Sequence, residues 1–169
     1  MASVNVGGGL MDEYISVPHQ VAFRAMRGAS LHAYLGKATA DLVPHLQRMS
    51  ASPLLKPHAV TVLYINPKSA RDGPEDAYRK AAALLQQQLV GQTLAEAVVI
   101  PAQGFVGATA RAVMGAQGIL HGTKTPSRVF TSLDQAAQWA QQTAPQLQLR
   151  AQDLVDGIHQ LLAALGSRA

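Results

Sequence analysis

The sequence predicts an α/β fold: a mixed, mainly parallel sheet of about five strands, with helices packed on it. Three observations lead to this prediction. The apolar, β-branched run Ala59–Ile65 is typical of a strand buried on both faces. Similar runs alternate with segments of helical periodicity, which favours parallel strands joined by helical crossovers. Two short alternating segments on either side of Pro18 predict an N-terminal hairpin.

Composition narrows the class of protein. The chain has 169 residues, which suits one domain, and 48% hydrophobic against 14% charged residues indicates a globular chain. Cysteine is absent, which excludes disulfides, thiolate metal sites and cysteine nucleophiles and fits a reducing compartment. There is no apolar stretch of about 20 residues and no secretory signal is visible, so a cytoplasmic protein is expected.

The basic character of the chain does not point to nucleic acid. The formal net charge is +4 and the pI is about 9.7, but the basic residues are scattered and interleave with acids between Lys68 and Lys80. Aromatic residues make up 5% of the chain and form no array with basic side chains. We therefore expect no nucleic-acid partner.

The first part of the chain predicts a leader, the hairpin and one helix. Residues 1–12 contain three consecutive glycines and no periodicity, so they predict a flexible leader. Residues 30–39 are ambiguous between a helical turn and a loop. From about Asp41 the apolar spacing predicts a helix that has Pro44 in its first turn and ends by Ser52.

The segment after the strand at 59–65 predicts a loop and a second helix. Asn66 and Pro67 end the strand, and the loop runs over Lys68–Pro74. The proline and the acids that follow suit a first helical turn, and the helical spacing continues to about Val90.

The centre of the predicted domain is the segment 97–130. A buried strand at Ala97–Ile100 leads into a glycine-containing turn, a helix of small residues at 106–117 and a short strand at Arg128–Phe130. The segment contains no acidic residue and is mildly cationic. Ser132 then caps the next helix.

The last part of the chain, 143–169, is set apart as a C-terminal amphipathic helix that follows the α/β domain at 13–142. Its apolar stripe consists of Leu154, Val155, Ile158, Leu161, Leu162 and Leu165. Two interpretations stay open. The helix docks on the core of its own domain, or it serves self-association or binding of a partner.

The end of the domain resembles a known family. Residues 127–139 read SRVFTSLDQAAQW: a short strand, a phenylalanine, a turn, an acid, two small residues and a tryptophan. Together with the hairpin that leads into βα units, this pattern resembles the STAS-like family of anti-sigma-factor antagonists over about residues 12–142. The resemblance implies a non-enzymatic regulatory module of the bacterial cytoplasm that binds a protein partner.

The segment after Ile65 departs from that family. The antagonists carry an acceptor serine at the start of a helix, within an Asp-Ser-Ser-Gly-Leu type motif, whereas this chain reads NPKSARDG at 66–73. Ser69 is the nearest hydroxyl and is therefore the candidate phospho-acceptor. The alternative interpretation is a polar serine in a loop.

No pattern of catalytic or metal-ligating residues is complete in the sequence. The six histidines lack the spacing of a metal site, and no GxSxG nucleophile elbow occurs. Gly104 and Gly107 open a helix after a strand and offer N–H groups to an anion, with Arg111 one turn further. Their spacing matches neither the Walker loop nor the dinucleotide fingerprint, and an enzyme acting there lacks a base. We expect no enzymatic activity, cofactor or metal.

The sequence therefore predicts a protein-binding surface around the loop after Ile65 and the glycine turn. The residues assigned to this surface are Lys68, Ser69, Arg71, Gln103, Gly104, Phe105, Val106 and Arg111. We expect a homodimer, formed through the small-residue helix or the C-terminal helix. The alternative function is binding of a small apolar ligand or lipid, in a cavity lined by helices 106–117 and 150–165.

Overall fold

The computed structural model describes residues 3–5, 12–101 and 125–166, and over these residues the chain is an α/β protein with one seven-stranded mixed sheet. The strands are β1 (Ser3–Asn5), β2 (Asp12–Val17), β3 (Val21–Met26), β4 (Ala29–Tyr34), β5 (Ala59–Ile65), β6 (Thr93–Val99) and β7 (Ser127–Phe130). They lie in the sheet in chain order. Neighbours from β1 to β4 are antiparallel, and neighbours from β4 to β7 are parallel. The predicted α/β class is confirmed.

The helices over the same residues are α1 (Val43–Ser50), α2 (Pro67–Asp72), α3 (Asp76–Gln88), α4 (Leu133–Thr143) and α5 (Ala151–Ala164). Short 3-10 turns occur at Ala40–Leu42, Pro53–Leu55 and Pro145–Leu147. Within the described part of the chain, no helix combines the length and the hydropathy that crossing a membrane requires.

Two strands exceed the five that the sequence predicts. β1 falls within the predicted leader 1–12, and it pairs with β2 at the edge of the sheet. β4 falls within the ambiguous segment 30–39. It lies in the middle of the sheet between β3 and β5, and all six of its residues are buried. Because half of the strand pairs are antiparallel, the sheet is mixed rather than mainly parallel.

The predicted loop at Lys68–Pro74 is wrong in its first part, because α2 occupies Pro67–Asp72. The side-chain oxygen of Asn66 accepts a hydrogen bond from the backbone N–H of Lys68 at 2.9 Å, which caps the helix. Pro67 at the first helical position fits because the backbone N–H that it lacks would have no helical partner there. The dipeptide that ends the strand therefore also begins a helix.

Helices cover both faces of the sheet. The parallel strands β4, β5 and β6 follow one another in one direction, so right-handed crossovers place their connections on the same face. That face packs against α1 and α3, and the opposite face packs against α4 and α5. The core therefore consists of two hydrophobic clusters separated by the sheet.

The C-terminal helix α5 is docked on the core of its own domain, which is the first of the two interpretations above. Its buried residues are Leu154, Val155, Gly157, Ile158, Leu161 and Leu162. A Cβ at Gly157 would lie 2.3 Å from Cδ1 of Leu31 on β4, so glycine allows the helix to approach the sheet closely. We call the face under α4 and α5 the sealed face.

Candidate functional site

On the face of the sheet opposite the sealed face, α3 leaves space between itself and the sheet. Tyr78 is the fully buried residue of α3, while Ala82 and Leu85 are partly buried. A cavity of about 220 Å³ lies between the sheet and α1, α2 and α3. Its sheet wall includes Ser30, His32 and Tyr34 of β4, Thr61, Leu63 and Ile65 of β5, Glu96 of β6 and Ser127 of β7. We call this side the cavity face.

A chain of polar contacts runs along the cavity face of β4. Residues at alternate positions of a strand point to the same face, which brings Ser30, His32 and Tyr34 into one line. The Oγ of Ser30 and the Nε2 of His32 are 2.8 Å apart, and the Nδ1 of His32 and the hydroxyl of Tyr34 are 3.5 Å apart. The hydroxyls of Tyr34 and Tyr78 are 2.6 Å apart, which links the strand to α3.

Aromatic packing fixes the rings of this chain. The ring of Phe23 on β3 meets the His32 ring edge-on at a centroid distance of 5.1 Å, and the Tyr34 ring at 5.9 Å. The rings of Tyr34 and Tyr78 also pack edge to face, at 6.4 Å. Such arrangements are favoured by the charge distribution of aromatic rings, so the polar atoms are held in defined positions.

Burial keeps these groups uncharged at neutral pH. Desolvation lowers the pKa of His32 to about 4, because the charged imidazolium loses its hydration. Burial also raises the pKa of Tyr78 to about 12, and burial together with the nearby Tyr78 raises the pKa of Tyr34. The polar chain from Ser30 to Tyr78 therefore consists of neutral donors and acceptors.

A second polar line crosses the sheet at right angles to the first. The strand register places Ser30, Thr61, Glu96 and Ser127 next to one another on the four parallel strands. The Glu96 carboxylate accepts hydrogen bonds from the Nε2 of Gln86 at 3.1 Å and from the Ser127 hydroxyl at 3.3 Å. The two lines meet at Ser30, and the sheet wall also includes the apolar side chains of Ala59, Leu63 and Ile65 on β5.

The structure separates the residues predicted to bind a partner. In α2, Lys68 is exposed, whereas Ser69 lines the cavity. The Ser69 hydroxyl oxygen is buried and has no hydrogen-bond partner among the described residues. Its phosphorylation stays a prediction. The backbone of Arg71 lies in α2. The other residues assigned to that surface lie outside the described residues: Gln103, Gly104, Phe105, Val106 and Arg111.

Sequence reasoning missed most of the cavity. The sequence predicts a ligand cavity between helices 106–117 and 150–165, whereas α5 packs on the sealed face and contributes no residue to the described lining of this cavity. Residues 106–117 lie outside the described residues. One signal was available, since residues 30–34 alternate polar and apolar side chains with the period of a strand. Thr61 and Glu96 interrupt otherwise apolar strands in the same way.

Neither a search for metal ligands nor the comparisons with known proteins assigns a further function to the described residues. Over residues 3–5, 12–101 and 125–166, no three histidine, aspartate or glutamate side chains come together in a group that would hold a metal ion. No protein-family model, curated protein or solved structure matches this chain. The STAS-like resemblance therefore stays a prediction.

Proposed function

We propose that this chain is a non-enzymatic module that binds a small, mostly apolar molecule in the cavity on the cavity face. The cavity itself is the observation that supports the proposal. Its volume of about 220 Å³ exceeds the ~150 Å³ of an apolar cavity that takes up benzene. It is below the ~300 Å³ at which pockets for drug-sized ligands begin, so the ligand is compact.

The position and lining of the cavity also support a binding role. Tyr34 and Ile65 line it at the carboxyl ends of β4 and β5, and this edge of parallel strands is where α/β proteins commonly bind ligands. Apolar walls with a few convergent polar groups are typical of small-molecule sites. Here the polar groups of the sheet include the line along β4 and the line that crosses the four parallel strands.

The properties of His32 favour binding over catalysis. The 2.8 Å contact between Ser30 and His32 has the geometry of a nucleophile and its base. A general base works best when its pKa is near the working pH, and the pKa of about 4 makes His32 a weak base at neutral pH. We therefore propose no catalytic role for this pair.

The short helix α2 faces the cavity on one side and solvent on the other, which suits a regulatory role. Ser69 lines the cavity and Lys68 is exposed on the same short helix, so a ligand that contacts Ser69 would act on a segment that also faces solvent. This arrangement supports a protein partner that senses the occupied state. The STAS-like regulatory class, the homodimer and the cytoplasmic location remain part of this proposal.

A cavity-filling substitution tests the proposed function. Ala82 lines the cavity from α3, whereas Ala77 is exposed on the same helix and outside the lining. Acetophenone, a compact molecule with an apolar ring, serves as the probe in isothermal titration calorimetry. We expect saturable millimolar or tighter binding to the wild type and to Ala77→Phe, and none to Ala82→Phe. Equal binding to all three variants, or binding to none, would reject the cavity as the site.

A further inference from the structure

We propose that the ligand is uncharged and carries a hydrogen-bond acceptor, such as a carbonyl oxygen, that lies against the hydroxyls of Tyr34 and Tyr78. The inference rests on the proposed function and adds the chemical class of the ligand. Three observations carry it: the number of protons in the polar chain of β4, the buried hydroxyl of Ser69, and the charges around the cavity.

The polar chain on β4 and Tyr78 has one more hydrogen-bond donor than it has contacts. Ser30, neutral His32, Tyr34 and Tyr78 each contribute one O–H or N–H. Three contacts connect the four groups, and each contact uses one proton. One donor is therefore left without an acceptor within the chain, whichever tautomer His32 adopts. Because all four residues line the cavity, a ligand there can supply the missing acceptor.

The surplus donor is best placed at the tyrosine pair. The contact between His32 and Tyr34 is 3.5 Å, at the limit of a hydrogen bond, whereas the Tyr34–Tyr78 contact is 2.6 Å. The two tyrosine hydroxyls carry two protons and share one hydrogen bond. One O–H group is therefore left to donate to another acceptor. If the Ser30 hydroxyl donates to Nε2 of His32, the proton on Nδ1 of His32 is donated to Tyr34 in the weak contact. Both protons of the Ser30–His32 pair are then used.

Ser69 adds a second donor at the same end of the cavity. α2 follows β5 directly, and the backbone N–H of Asn66 donates to the carbonyl of Tyr34 at 2.8 Å, so α2 starts beside the end of β4. The buried Ser69 hydroxyl lacks a partner among the described residues. Leaving a buried hydroxyl unpaired costs free energy. An acceptor on the ligand would relieve this cost together with that of the tyrosine pair.

The charged side chains of the described lining disfavour an anion. Among the described residues that line it there is no lysine or arginine, and Glu96 is the carboxylate at its other end. A buried anion without a cationic partner is strongly disfavoured, and the carboxylate adds repulsion. The acceptor is therefore a neutral oxygen, as in a ketone, aldehyde, ester or amide.

Three ligands of nearly equal shape test this chemistry on the wild-type chain: acetophenone, ethylbenzene and benzoate. We expect acetophenone to bind about fivefold more tightly than ethylbenzene, as one net hydrogen bond gives, and benzoate to bind more weakly than both. Equal affinities of acetophenone and ethylbenzene would overturn the inference while leaving the proposed function intact. Binding of none of the three would reject both.

Two variants locate the acceptor. Tyr34→Phe together with Tyr78→Phe removes both members of a hydrogen-bonded pair and keeps the ring shapes, which is close to neutral for stability. We expect this double variant to bind acetophenone and ethylbenzene with equal affinity. Ser30→Ala is the control and should keep the fivefold preference. Loss of the preference in Ser30→Ala, with retention in the double variant, would place the acceptor at Ser30 and contradict the inference.

Discussion

Leu31 and His32 are neighbours on β4, but they face two different environments. Leu31 points to the sealed face, where α5 approaches so closely that Gly157 has no room for a side chain. His32 points to the cavity face, where α3 leaves about 220 Å³ between itself and the sheet. Both side chains are buried, yet one belongs to a hydrophobic cluster and the other to a polar chain.

The difference separates the face that stabilises the fold from the face to which we assign ligand binding. Close-packed apolar side chains stabilise a domain without any polar group in the core. Buried polar groups cost free energy unless they are paired, and the polar chain on β4 has one donor without an acceptor within the chain. The ligand proposed above would supply that acceptor.

The largest effect should come from truncating a leucine on each face. Leu31→Ala on the sealed face leaves a cavity among well-packed side chains and should lower the free energy of unfolding by about 2–5 kcal/mol. Leu63→Ala on the cavity face should cost less than about 2 kcal/mol, because its side chain already borders a cavity. Urea denaturation measures both. Equal costs would show that the two faces are packed alike.

Acid should destabilise the cavity face through His32. Its pKa is about 4 in the folded chain and near 6.5 in the unfolded chain, so the unfolded chain binds the proton more readily. Stability therefore decreases as the pH falls from 6.5, and about 3 kcal/mol is lost once the pH is below 4. His32→Gln should remove this part of the pH dependence measured by urea denaturation. An unchanged profile in His32→Gln would contradict the neutral, buried state of His32.

The close approach on the sealed face predicts a smaller effect at Gly157. Gly157→Ala places a Cβ against Leu31 and should lower the free energy of unfolding by about 1–2 kcal/mol, even though alanine favours a helix. Combining it with Leu31→Ala removes the steric conflict. The double variant should therefore be more stable than the sum of the single effects predicts, and strict additivity would refute the contact.

The smallest effect concerns two serines at the cavity. Ser69→Ala removes a buried hydroxyl that lacks a partner among the described residues, so it should raise the stability of the ligand-free chain by up to about 1 kcal/mol. Ser127→Ala removes a hydrogen bond to Glu96 and should lower stability by about 0.5–1 kcal/mol. Thermal denaturation compares them, and a loss in both would show that the Ser69 hydroxyl is paired.

The sequence was most informative where one physical signal dominated. The strand Ala59–Ile65 is confirmed at both ends, because a continuous apolar run fits a strand buried on both faces. The cap at Ser132 is confirmed, since its side chain accepts a hydrogen bond from the N–H of Gln135. Both features depend on local chemistry alone.

The cavity was not predicted because it depends on spacing between elements that are distant in the chain. The contact between Tyr34 and Tyr78 joins a strand to a helix 44 residues later. His32 is unremarkable in the sequence, and its low pKa follows from burial under α1 and α3. The polar alternation of residues 30–34 predicts a strand, but not which helix lies above it or how far away.

The most direct test of the difference between the two faces is a titration with acetophenone followed by NMR of ¹³C-labelled leucine methyl groups. Leu63 and Leu85 line the cavity, whereas Leu31 and Leu154 are buried on the sealed face. We expect saturable shifts of the Leu63 and Leu85 methyl signals and no comparable shift of the other two. Shifts of similar size on both faces, or no saturable shift on either, would contradict a binding site on the cavity face.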